Sequence, residues 1–120
     1  MLDTNLDVEK LKKLQFKIMK DVAASALIPL MRIGDQLGLF QTLSEKGPMT
    51  SKRFAEEAKV DERYLREWLY ALSATDFVSY DGEKEEFSLS PEQKAVFADE
   101  EGPANICLLY TSDAADEAIG

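Results

Sequence analysis

Few side chains in this sequence are of kinds that make or break bonds. There is no histidine, and the one cysteine is Cys107. A zinc centre draws several ligands from His, Cys and carboxylates, usually with soft donors among them, so zinc chemistry is close to excluded. Nucleophile–base pairs of the Ser–His or Cys–His kind are excluded with it. The adjacent carboxylates Glu85 and Glu86 have no apolar surroundings to shift a pKa, so they read as a solvated loop and not as an acid–base pair. Trp68 and Tyr64 are able to stack on a ring, and Met19 and Met31 to line an adaptable lid. Trp68 lies on an apolar helix stripe, which makes core packing its first role. Tyr64 lies off that stripe and is the better pocket or interface candidate. The two methionines sit at helical spacing and read first as core. No catalytic, cofactor-binding or metal-binding residue is assigned.

The elements that would position these side chains are mainly helical. Residues 6 to 20 read as an amphipathic helix, with Leu11, Leu14, Ile18 and Val22 at helical spacing and five lysines over much of the rest. An anionic membrane surface would suit such a helix, but the acidic remainder offers no second membrane signal, and lysine stems over apolar surface account for it. Residues 22 to 40 are apolar nearly all round, and a domain this small has little interior to hide them. A partner chain or second domain is the natural cover. Pro29 should kink this stretch or start a second helix as its first residue, and Gly38 should end it.

Glu45-Lys46-Gly47-Pro48 is a loop. Thr50 or Ser51 caps a short helix to about Ala58, with Phe54, Ala55 and Ala58 inward. Asp61 caps a second helix whose inward face is Leu65, Trp68, Leu69 and Leu72. A tight turn at Lys59-Val60 joins the two into a helix-turn-helix. Phe77, Val78 and Tyr80, then Asp81-Gly82, then Phe87 and Leu89 predict a hairpin with a loop longer than two residues. Ser90-Pro91-Glu92-Gln93 is a capping box with Pro at the first helical position, opening a helix to about Phe97. The fold class is therefore mainly α with a small β-hairpin: a winged helix-turn-helix preceded by long N-terminal helices. Residues 1–40 are assigned to N-terminal dimerisation helices and 41–106 to the winged helix.

Charge decides against the commonest use of such a fold. The chain carries a net charge of −9, which repels phosphate backbones unless its cations gather on one face. A winged helix usually sets its second helix in the major groove and its wing near a phosphate strand. Arg63 and Arg66 are candidates for bases or phosphates, but Glu62 and Glu67 stand beside them. The i,i+4 pairs Arg63–Glu67 and Glu62–Arg66 are an ordinary solvated helix surface. The wing, Asp81-Gly82-Glu83-Lys84-Glu85-Glu86, carries four acids against one base. Nucleic acid is thus disfavoured as a partner. The N-terminus lacks the uninterrupted apolar stretch of a signal peptide, and the most apolar run, 22 to 30, is far too short to span a membrane. With one cysteine and no internal disulfide, the reading is a cytoplasmic protein.

The final stretch, Cys107 to Glu117, resembles the translation of a sequencing-library adaptor read in one frame. Residues 107–120 are read as a non-native tail and set aside. The native part then holds 20 acids against 14 bases, a net charge of −6. Within it, Asp61-Glu62-Arg63-Tyr64-Leu65-Arg66-Glu67-Trp68-Leu69 is similar to a segment of bacterial and mycobacterial S-adenosylmethionine-dependent methyltransferases, in which an N-terminal winged helix precedes a Rossmann-type domain. The similarity extends through Ile33 to Phe40, Phe77 to Asp81 and Phe87 to Glu92, covering roughly residues 15 to 106. It implies a domain that pairs two subunits and helps wall the pocket of a small-molecule methyl acceptor. It also implies a catalytic domain after Ile106, which would bind S-adenosylmethionine. The glycine-rich loop of that domain is missing here, since no two glycines have its spacing. No cofactor is expected in this fragment, which should be inactive alone. Two other readings stand beside this one: a self-standing winged-helix DNA-binding regulator and a purely structural interaction domain.

Overall fold

The computed structural model describes residues 4–106. Its first helix, α1 (Val8–Ser25), starts where the Asp7 carboxylate accepts from the amides of Glu9 and Lys10. It runs five residues past the expected end at residue 20, through Ala23 and Ala24, both strong helix formers. The chain breaks helix only at Ala26, itself in right-handed helical conformation, and resumes as α2 (Leu27–Gln36). Pro29 explains the position of the break. Its ring clashes with the carbonyl four residues back, that of Ser25, the last residue of α1. The break therefore falls one turn before the proline. Pro29 is the third residue of α2 and not its first, and in the first turn its missing N–H leaves no helical bond unmade.

Leu37 caps α2, and Gly38, at φ 67°, turns the chain into α3 (Leu39–Lys46). Left-handed backbone at a helix end is a glycine position, as expected from the sequence. The helix that follows continues the apolar run with no change of pattern in the sequence, and residue 40, the expected boundary between the N-terminal helices and the winged helix, lies inside it. Helices α4 (Ser51–Ala58) and α5 (Glu62–Ala74) have the predicted caps. The Thr50 hydroxyl accepts from Arg53 N at 3.2 Å, and Asp61 Oδ1 accepts from Arg63 N at 2.9 Å and Tyr64 N at 3.3 Å. Lys59, at φ 58°, makes the sharp turn between them.

Strands β1 (Ser79–Asp81) and β2 (Glu86–Ser88) pair antiparallel in the register Ser79–Ser88, Tyr80–Phe87, Asp81–Glu86. Asp81 Oδ1 accepts from the amides of Glu83 and Lys84 and folds the loop back on itself. A third segment joins the hairpin: Met49 and Phe87 exchange both backbone hydrogen bonds, at 2.8 and 3.0 Å. This tie, which fastens the wing to the entry of α4, had no signature in the sequence. Helix α6 (Pro91–Phe97) opens with the expected capping box. Gln93 does more than cap. Its side chain also donates to Asp76 O at 2.9 Å and accepts from Ser79 Oγ at 3.0 Å, binding the root of the wing to α6.

The core lies between α3, α4, α5 and the hairpin. Phe40, Leu43, Met49, Phe54, Leu69, Leu72 and Val78 are fully buried there. All four residues expected on the inner face of α5 are buried, as are Phe54 and Ala55 of α4. The long apolar stretch behaves differently. Leu27, Gly34, Leu39 and Phe40 are buried, while Val22, Ile28, Ile33 and Leu37 remain exposed. Among the described residues no helix is long and apolar enough to cross a membrane.

Candidate functional site

The main concavity is a groove of about 540 Å³ between α2 and α5. Leu30, Ile33 and Leu37 form one wall, Tyr64, Leu65 and Trp68 the other, and Asp61 and Glu67 are its acidic members. Helical spacing puts the α5 residues there. Leu65 and Trp68 lie at the edge of the inward stripe, and Tyr64 and Glu67 precede each by one residue, which turns them toward the rim. Trp68 is 5 % exposed, and its indole N–H donates to Leu30 O at 2.7 Å. That bond ties the two walls together and satisfies the one polar atom of a buried ring. Core packing is thus its place, as the helix stripe indicated. Tyr64 is 74 % exposed and stands at the groove's edge, free to meet a ligand or a partner.

Gly34 sets how closely the walls approach. A Cβ built there would lie 2.7 Å from Phe40 Cε2 and would also overlap the Trp68 ring. The spacing of Gly34 and Trp68 along the chain carries no hint of this contact, and the groove was not anticipated as a unit. Beneath it, Phe40 meets Trp68 at a centroid distance of 5.3 Å and stacks on Phe97 at 4.7 Å, which joins α6 to the same aromatic layer. A second, smaller groove of about 360 Å³ contains Met31, Phe77, Val96, Phe97 and Ile106.

The remaining candidates are scattered. Met19 is exposed on α1, whereas Met31 is half-buried in the second groove. The core placement expected for both holds only in part for Met31 and not for Met19, because α1 has no buried residue. Glu85 is exposed in the wing loop at φ 54°, and Glu86 stands opposite Asp81 in the hairpin. Cys107 lies outside the described residues.

The surface that would face a nucleic acid is internally compensated. Arg66 pairs with Glu62 at 3.6 Å, and the Ser51 hydroxyl donates to the same Glu62 carboxylate at 2.9 Å. The second expected pair, Arg63 with Glu67, does not form. A closer pair joins α3 to α4: Lys46 Nζ lies 2.7 Å from Glu57 Oε2. The Lys46 hydrogen bond and charge, with a further contribution from Arg53, hold the Glu57 carboxyl below the usual glutamate value.

The architecture has known counterparts. No curated protein matches the chain. Among solved structures, human N-acetylserotonin methyltransferase in complex with SAM superposes with a TM-score of 0.70 at 15% identity, over 95% of this chain and 33% of that one. LepI in complex with SAM gives 0.61 at 18% identity, over 74% of this chain and 25% of that one. A predicted O-methyltransferase of Nostoc punctiforme gives 0.57 at 21%, over 78% and 27%. At these identities the likeness is one of fold. This chain spans about a quarter to a third of the length of those proteins. The Rv2258c-like winged HTH domain matches residues 23–98, more than half of the sequence and all of the structure from the end of α1 to α6. The chain belongs to the family of Rv2258c-like winged helix-turn-helix domains.

Proposed function

We propose that this chain is the N-terminal module of an S-adenosylmethionine-dependent methyltransferase acting on a small molecule, and that it pairs two subunits and walls part of the acceptor pocket. In this reading residues 1–40 are chiefly the pairing helices and 41–106 the winged helix. Residues 107–120 are a non-native tail, and a catalytic domain follows Ile106 in the parent. The module itself holds no cofactor and carries no catalytic residue. The parent works in the cytoplasm.

The observation that carries the reading is the apolar surface left open along α1 and α2 of a winged helix whose solved counterparts include proteins bound to SAM. Exposed apolar area on this scale marks an interaction site. The acidic wing weighs against nucleic acid as the partner, since like charge would hold it off a phosphate strand.

Two measurements test this. Long reads of the source DNA through the codon for Ile106 should continue into a strand followed by an acidic-Gly-x-Gly-x-Gly loop. A stop codon soon after Ile106 would remove the methyltransferase. Light scattering of the chain should give the mass of a dimer, and a well-behaved monomer would remove the pairing role.

A further inference from the structure

The groove between α2 and α5 is apolar along its walls and acidic at one edge. Its volume of about 540 Å³ lies within the roughly 300–1,000 Å³ that small-molecule sites occupy. Leu30, Ile33, Leu37 and Leu65 stand in its walls, and Asp61, Tyr64 and Glu67 belong to its α5 side. Among the described residues, no lysine or arginine lines it.

The start of α5 builds that edge. Asp61 Oδ1 accepts from the Tyr64 amide at 3.3 Å, which seats the carboxylate beside the first turn of the helix. Its Oδ2 has no hydrogen bond among the described residues. Glu67 follows Tyr64 by three positions, so the two side chains are neighbours on the helix surface. Arg63, four positions before Glu67, does not pair with it, and among the described residues no other cation does. The exposed ring of Tyr64 is thus flanked along α5 by two carboxylates that lack a counter-charge.

We propose that this groove binds a hydrophobic amine, with its apolar body between α2 and α5 and its ammonium group at the edge formed by Asp61, Tyr64 and Glu67. The proposal rests on the pocket-wall reading above and names the class of molecule. Each part of such a ligand has a counterpart in the groove. The body gains by leaving water for the leucine and isoleucine side chains. The ammonium gains from the two carboxylates and from the face of the Tyr64 ring, which attracts cations. Because that edge is open to solvent, the ammonium keeps part of its hydration and avoids the cost of a fully buried charge. A carboxylate or phosphate ligand of the same shape would meet like charge at the same edge. A neutral ligand would gain the burial alone.

Three probes of one shape test the proposal on the full chain: adamantylamine, adamantanol and adamantanecarboxylate. Calorimetry reads the affinity. Emission from Trp68, the one tryptophan of the chain and a member of the groove, reads the place. The amine should bind roughly tenfold more tightly than the alcohol, from two exposed charges and one ring face, and the carboxylate more weakly than either. The preference should shrink with added salt. Two double variants separate the edge from the chain's net charge of −9, which would favour any amine. Asp61→Asn with Glu67→Gln should abolish the preference and leave alcohol binding unchanged, since asparagine caps a helix as well as aspartate does. Glu83→Gln with Glu85→Gln removes the same charge from the wing and should leave the preference intact. Equal binding of all three probes overturns the amine proposal and leaves the pocket wall standing. So does an amine preference that survives Asp61→Asn with Glu67→Gln. Binding of no probe overturns the proposal and removes this groove from the pocket wall. Trp68 emission that responds to chain concentration and not to amine overturns it too, and makes a second copy the occupant.

Discussion

Gly34 shows how one residue decides whether two helices meet. With hydrogen in place of a methyl group, α2 lies against the Trp68 and Phe40 rings. Gly34→Ala should therefore destabilise the domain by about 1–3 kcal/mol, the usual cost of overpacking a dense core. This is despite the gain in helix propensity that alanine would bring at an open site. Urea unfolding followed by Trp68 fluorescence would read it, and an unchanged midpoint would show that α2 is free to shift away. Glu57 makes a different point. Its carboxyl is held low by the Lys46 hydrogen bond and charge, so folding favours the ionised form. The stabilisation is present above the unfolded value and is lost as pH falls through the folded one. Glu57→Gln should lower stability slightly at neutral pH, since exposed pairs contribute little, and leave it unchanged below the glutamate range, so that the acid side of the pH–stability profile flattens. Thermal melts from neutral pH down past the glutamate range would test it, and a parallel shift at every pH would assign the effect to packing.

At the scale of elements, the helix ends were the most legible part of the sequence. Thr50, Asp61 and Ser90 are cap residues by type, and each accepts the amide hydrogen bonds that a cap must accept. Asp61→Ala should cost about 1 kcal/mol in denaturant unfolding, since Arg63 N and Tyr64 N lose their acceptor. The turn between α4 and α5 carries strain that the residue types alone did not reveal. Lys59 has φ 58°, a conformation that costs an L-residue roughly 1–2 kcal/mol. Lys59→Gly should raise stability by about 0.5 kcal/mol, after the greater freedom of glycine in the unfolded chain is subtracted. A lower denaturation midpoint would mean that the lysine side chain compensates the strain. What the local sequence left out was the tie between Met49 and Phe87, because a single bridging residue has no period to recognise. The start of α3 was missed for a related reason. Leu39 and Phe40 continue the apolar run of α2, and only the left-handed Gly38 divides them.

For the whole molecule, charge and exposed area make the strongest statements. Net charge −9 and a wing of four acids and one base predict no measurable binding to duplex DNA at micromolar protein and low salt. Fluorescence anisotropy of a labelled duplex would show otherwise if the regulator reading held. The sequence by itself determined the element types, the caps, the α5 stripe and the acidic wing. Each of these is set by neighbours within about four residues or by composition, which the chain order displays directly. Tertiary structure alone decided the Gly34–Trp68 contact, the Trp68–Leu30 hydrogen bond across 38 positions, and the groove they frame. It also decided how the apolar stretch from residue 22 to 40 divides into buried and exposed members. Burial depends on what packs opposite each face. Apolar periodicity marks a face for covering without naming its cover, and the open apolar side chains of α1 are the clearest case.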